Sequence, residues 1–272
     1  MAYINLFKDL ISKNNSVQNS KFILITGSIS KKVHELSDQL GIEVIELPKN
    51  MNLPRSDKVR TKRFMSLTTE KSWKIISGLL KARSSSIRAL AIGQNVSYGW
   101  AHTTVTGLIE QGIAVKKGTS ISLVDVDKLL NGVAWERPLS SLIVKEVKVR
   151  GDGLLDIARE ITLYSDRRSI PLAFTGHIAG SLYTAHSVRF DVLQMYVNAL
   201  DKELLADIEE LRDGDHEIKL QILRPDRDVY TDANIIQGVK VVSPSQTLLD
   251  LAGLGYNGRD MTKVMVEIYG KL

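Results

Sequence analysis

The chain contains no cysteine, which removes disulfide bonds, thiolate zinc sites and cysteine nucleophiles in one step. No apolar run approaches the roughly eighteen residues that span a bilayer. Residues 1 to 16 are polar and amphipathic and lack the apolar centre of a secretory signal. No membrane is therefore expected as a partner, and the cytoplasm is the expected location. The five histidines, His34, His102, His177, His186 and His216, are scattered without metal-ligand spacing. No Ser-His-Asp arrangement stands out. The expectation is a chain without catalytic residues, bound metal or cofactor.

What is present is the material of a folded protein. Its 272 residues are 43% hydrophobic and 25% charged, enough for two or three domains. The net charge of +5 is unevenly spread. Residues 1 to 130 hold 19 Lys and Arg against 10 Asp and Glu, whereas residues 131 to 272 hold 17 against 21. A basic first half suits a polyanion, and an acidic second half is better placed to face another protein.

The stretch from Thr68 to Val124 organises the rest. A first helix beginning at Thr68 or Thr69 places Trp73, Ile76, Leu79 and Leu80 at helical spacing up to Lys81. Ser84, Ser85 and Ser86 interrupt the pattern and offer an N-cap to a short helix carrying Ile87, Leu90 and Ala91, which stops at Gly93-Gln94-Asn95. Ser97 can cap a third helix with Ala101, Val105 and Leu108 turned inward, and Gly99, His102, Thr103, Thr106 and Glu110 turned outward. Two short β runs, Ile113 to Val115 and Ile121 to Val124, are joined by Lys116-Lys117-Gly118-Thr119. Helix, helix, polar-faced helix and cationic hairpin make a winged helix-turn-helix. A small, polar outward face lets a helix enter the major groove, and a lysine-tipped wing meets phosphates. The expected DNA-binding residues are Arg88, Ser97, Tyr98, His102, Thr103, Thr106, Lys116 and Lys117. Double-stranded DNA is the expected partner, and paired half-sites favour a homodimer.

The flanks complete the plan. Residues 1 to 49 suggest an amphipathic helix with Ile4, Phe7, Leu10 and Ile11, then strand, helix and strand; Thr26-Gly27-Ser28 is read as a helix cap. Residues 49 to 63 lose periodicity. Arg55, Lys58, Arg60, Lys62 and Arg63 there form a candidate basic arm along phosphates. Beyond the wing, strands and helices alternate from Leu142 to Tyr269. The expected fold class is a multidomain α/β (α+β) protein: a small α/β unit with basic linker over 1–65, a winged helix-turn-helix over 66–135, and a C-terminal α/β domain over 136–272.

Two segments of the third region carry a resemblance: Ala173-Phe174-Thr175-Gly176-His177-Ile178-Ala179-Gly180-Ser181-Leu182-Tyr183, and Val241-Val242-Ser243-Pro244-Ser245-Gln246-Thr247-Leu248-Leu249-Asp250-Leu251. They resemble the C-terminal module of the AbiEi family, antitoxins and predicted transcriptional regulators of type IV toxin-antitoxin (viral defence) systems. The resemblance covers about Ser66 to the end. It implies a DNA-binding regulator that counters a cognate nucleotidyltransferase-like toxin. The same region also resembles a nucleotidyltransferase core, in degenerate form. That chemistry sets a Gly-Ser pair on a helix start and two carboxylates one residue apart on the next strand, to hold divalent metals. Gly180-Ser181 is followed by Asp191, but the second acid position is Leu193, so a relic without transferase activity is expected. A nuclease built on Glu146, Lys148 and Asp127 is the weaker alternative.

Overall fold

The structure is a computed structural model that describes residues 22–26, 31–46, 65–186, 191–198, 202–209 and 216–272. It is an α/β protein divided into two compact units, Met1–Arg63 and Phe64–Leu272. In the first unit, strands β1 (Phe22–Thr26) and β2 (Ile42–Glu46) pair in parallel, with helix α1 (Lys31–Leu40) between them in the chain. Parallel neighbours cannot be joined by a tight turn, and the helix supplies the length of the crossover. The expected helix around Ile4 to Ile11, the Gly27-Ser28 turn and the basic arm lie outside the described residues.

The second unit begins with the helices and hairpin foreseen from periodicity. Helix α2 (Glu70–Ala82) is followed by strand β3 (Ser84–Ser85), helix α3 (Ile87–Gly93), helix α4 (Tyr98–Glu110), strands β4 (Ala114–Lys117) and β5 (Ser120–Leu123), and helix α5 (Val126–Glu136). The three strands form one antiparallel sheet in the order β3-β5-β4. This is the arrangement of a winged helix-turn-helix. Two details depart from expectation. Only Ser86 of the serine run caps α3, by accepting from Ala89 N at 3.1 Å; Ser84 and Ser85 pair with Ser122 and Ile121 as a third strand. Lys116 and Lys117 are the last residues of β4 rather than part of the loop, because Lys117 pairs with Ser120 and the turn is only Gly118-Thr119. Gly118 has φ +62 there, a conformation glycine adopts without steric cost.

The rest of the unit is a six-stranded mixed sheet in the order β10-β11-β7-β8-β9-β6. Its strands are β6 (Ile143–Gly151), β7 (Leu172–Thr175), β8 (Val192–Val197), β9 (His216–Leu223), β10 (Asn234–Ile236) and β11 (Val239–Val241). Helices α6 (Leu154–Arg167), α7 (Gly176–Thr184), α8 (Lys202–Glu209), α9 (Pro244–Gly253) and α10 (Arg259–Ile268) complete it. Strand β8 shows the two faces. Leu193, Met195 and Val197 join the core containing Ile157 and Ile161 of α6 and Leu204 and Ile208 of α8, whereas Tyr196 belongs to a second cluster with Ala173 and Val242.

Packing crosses the boundary expected at 135/136. One core contains Trp73, Ile76, Leu79 and Leu108 of the winged half together with Leu248, Leu249, Met261 and Met265 of α9 and α10. Helix α2 is therefore buried on more than its periodic face: Ser72, Ile75 and Ser77 are covered too. Trp73 Nε1 donates to the Ser245 carbonyl at 3.0 Å.

A buried ionic cluster sits at the same junction. Arg137, immediately after α5, is 5% exposed. Its Nη1 donates to Asp250 Oδ1 at 2.7 Å, its Nε and Nη2 fork onto Asp226 at 2.8 and 2.9 Å, and Nη2 also donates to Tyr196 Oη at 2.9 Å. Asp250 is fully buried. It accepts further bonds from Tyr196 Oη at 2.9 Å, Gln246 Nε2 at 2.9 Å and Thr175 Oγ1 at 2.6 Å. Two charges leave water only when hydrogen bonds satisfy both, and these bonds do so. Burial alone would push the Asp226 carboxyl up. Hydrogen bonds and charge from Arg137 and Arg227 reverse that and hold it well below the usual carboxylate range. Thr175, Gln246 and Asp250 come from the 173–183 and 241–251 segments, which thus meet in hydrogen bonds to one carboxylate, that of Asp250.

Candidate nucleic-acid interface

Helix α4 owes its start to Ser97, whose Oγ accepts from Trp100 N at 3.3 Å. Ala101, Val105 and Leu108 are fully buried as the periodicity requires, and Thr104 is buried beside them. Gly99, His102, Thr103 and Glu110 are exposed and Thr106 is half-buried. The outward face is polar in sequence, but some of its hydroxyl capacity is used within the helix. Thr103 Oγ1 donates to the Gly99 carbonyl at 3.0 Å. Ser97 has given a lone pair to the cap. Their side chains are thus less free to read base edges by hydrogen bonding than the sequence alone suggests.

Aromatic groups frame the start of this helix. Tyr98 is 56% exposed and its ring lies 6.1 Å from that of His102, tilted by 42°. Trp100 is 42% exposed, and Lys71 Nζ of α2 stands 5.3 Å from its ring centroid. The two side chains are thus in cation–π contact at the surface. Trp100 and Lys71 escaped the sequence reading. The available signal was position: residues 98 and 100 each lie about 100° round the helix from Gly99, one on either side.

A groove of about 1110 Å³ runs along α3 and the turn after it, between Tyr98 at the start of α4 and the wing. Arg88, Asn95, Tyr98, Lys116 and Thr119 line it, over a floor that includes Ile87, Ala91 and Val96. No carboxylate lines it. Three expected DNA-binding residues, Arg88, Tyr98 and Lys116, are therefore gathered on one concave surface. Lys117 is exposed at the end of β4 but does not line the groove. Ser97 caps α4 just before Tyr98, and His102, Thr103 and Thr106 follow along the helix. Among the described residues, Arg88, Lys116 and Lys117 form no salt bridge.

The positions weighed for catalysis are arranged differently. Gly180 lies in the middle of α7 instead of at its start, where an added Cβ would fall 2.7 Å from Met261 Cγ. Gly180 thus lets α7 approach α10. The residue at the helix start is Gly176, with φ +66. Asp191 is exposed before β8, and Leu193 is wholly buried in the core. Glu146 Oε1 accepts from Gln221 Nε2 at 2.6 Å and Glu146 Oε2 lies 3.7 Å from Lys219 Nζ, while Lys148 pairs with Glu217 at 2.8 Å. Asp127 lines a separate small cavity with Arg259 and Lys263. Among the described residues, no group of three or more His, Asp or Glu is placed to hold a metal ion, and no helix is long and apolar enough to cross a membrane.

The geometry defines a winged helix with a cationic, carboxylate-free groove between its second helix, the start of its third and the wing. No family model, curated protein or solved structure matches the chain.

Proposed function

We propose that this chain is a cytoplasmic, non-enzymatic regulator of transcription that binds double-stranded DNA through its winged half. The observation that carries the reading is the groove gathering Arg88, Tyr98 and Lys116 with no acid along it. A surface of that kind meets a phosphate backbone, while α4 offers an outward face narrow enough for the major groove. A dimer, with one reader on each half-site, fits the small footprint of a single α4. The test is selection of the full-length chain against a random duplex pool, followed by direct binding to the enriched duplex. Enrichment of one motif, bound more tightly than random duplex and weakened by salt, is the expected outcome. Failure to retain any duplex at low salt would remove the reading.

The antitoxin role is the finer part of this proposal. It draws on the resemblance of the 173–183 and 241–251 segments to AbiEi-type modules and on the surplus of acid after residue 131. The expected partner is a nucleotidyltransferase-like toxin encoded beside it. The chain should restore growth to cells expressing that toxin; growth arrest unchanged by the chain would leave a regulator alone.

A further inference from the structure

Resting on the dimeric part of the DNA-binding reading, we propose that two copies of the chain meet through the face where α5 lies beside the turn from α9 into α10. Helix α5 carries Asp127, Asn131 and Trp135 at successive four-residue steps, all three exposed, so they share one stripe of the helix. Tyr256, Arg259 and Lys263 line the same cavity of about 150 Å³ as Asp127 and Asn131. Trp135 is 86% exposed and Tyr256 88%, more than any other large apolar side chain among the described residues. Such rings gain from burial against a partner, and Trp, Tyr and Arg are the residues on which interfaces concentrate their energy.

The charges decide which partner this face fits. Asp127, Arg259 and Lys263 are exposed, and among the described residues none of them forms a salt bridge. A partner surface of one sign would leave either Asp127 or the two cations against like charge. A second copy would not. A two-fold axis sets the same patch of each copy against itself, so that Asp127 of one copy faces Arg259 and Lys263 of the other, and the pairing is made twice. Duplex DNA suits the face poorly, because Asp127 would stand against phosphate, and none of these residues lines the cationic groove.

The experiment is sedimentation of the full-length chain without DNA over a concentration series. Wild type should form a dimer. Trp135→Ala and Tyr256→Ala alter side chains that are exposed in the single copy, so the fold should be kept. Each removes two rings per dimer and should raise the dissociation constant about a hundredfold. Asp127→Lys should raise it about tenfold. Reversing the cations in the same chain, Asp127→Lys with Arg259→Glu and Lys263→Glu, should bring the dimer back, because a two-fold interface then regains every pair with its signs exchanged. A monomer at every concentration, a dimer unmoved by the three single substitutions, or no recovery in the triple variant would overturn this interface. Random-duplex binding by the same samples separates the two readings. A monomer that still binds duplex at low salt overturns the interface alone, and a dimer that retains no duplex overturns the DNA reading alone.

Discussion

The molecule handles its arginines and lysines in two opposite ways. At the junction, Arg137 is buried and its guanidinium is bonded to Asp226, Asp250 and Tyr196. At the groove, Arg88 and Lys116 are exposed, and no acid lines the surface they share. A cation paired inside the protein contributes to structure and offers nothing outward, whereas a cation left in water without a partner costs little to keep and remains available to a phosphate. Half of the contrast concerns stability and half concerns binding, and mutations separate the two.

The largest effect should come from breaking the paired cation. Arg137→Met leaves Asp250 buried without its counter-charge and should destabilise the second unit by about 3–5 kcal/mol. Urea denaturation of the full-length chain checks this; a loss below about 1 kcal/mol would mean that the cluster contributes little. Because the core is continuous across the junction, the winged half and the sheet should unfold together in that experiment.

A backbone change at the same junction should cost somewhat less. Gly176→Ala forces an alanine to φ +66 and sets its Cβ 2.0 Å from Gln194 Oε1. The expected loss is about 1–3 kcal/mol, read from the same denaturation curves. Wild-type stability would show that Gln194 can swing aside and that the turn is not strained.

Acid should act through Asp226. Its folded pKa lies below the ordinary value of 3.8. Its contribution is therefore present in full above about pH 4 and is lost as pH falls through the folded value. Asp226→Asn should melt below wild type at neutral pH and show a shallower decline on acidification. Parallel melting curves across the acid range would contradict this assignment.

The sequence was most informative where structure is local. The inward set of α4, Ala101, Val105 and Leu108, is fully buried because a single helix obeys its own period. Strand β1, helix α3 and the sheet strands β6 to β9 and β11 fall within a few residues of where alternation and breakers place them. What stayed hidden depends on partners far along the chain. Arg137 meets Asp226 across 89 residues and Asp250 across 113, a convergence that no periodicity encodes. The boundary expected at 135/136 therefore falls inside α5, which runs through Glu136 and whose core continues into α9 and α10. Strand β10 was missed because three residues at a sheet edge carry too little alternation to register. At the site, the residue types in α4 were legible, but not how Ser97 and Thr103 spend their hydroxyls, since that depends on rotamers within the folded helix.

The claim that the unpaired cations serve DNA is tested most directly by titrating salt against the affinity of the full-length chain for a random duplex and for the selected one. The comparison is wild type with a variant carrying both Lys116→Ala and Lys117→Ala. Each phosphate contact releases counterions and contributes close to one unit to the slope of log affinity on log salt. The variant should bind both duplexes more weakly, with a slope lower by about two units. An unchanged slope with unchanged affinity would contradict the account, because the exposed lysines of β4 would then lie away from any phosphate.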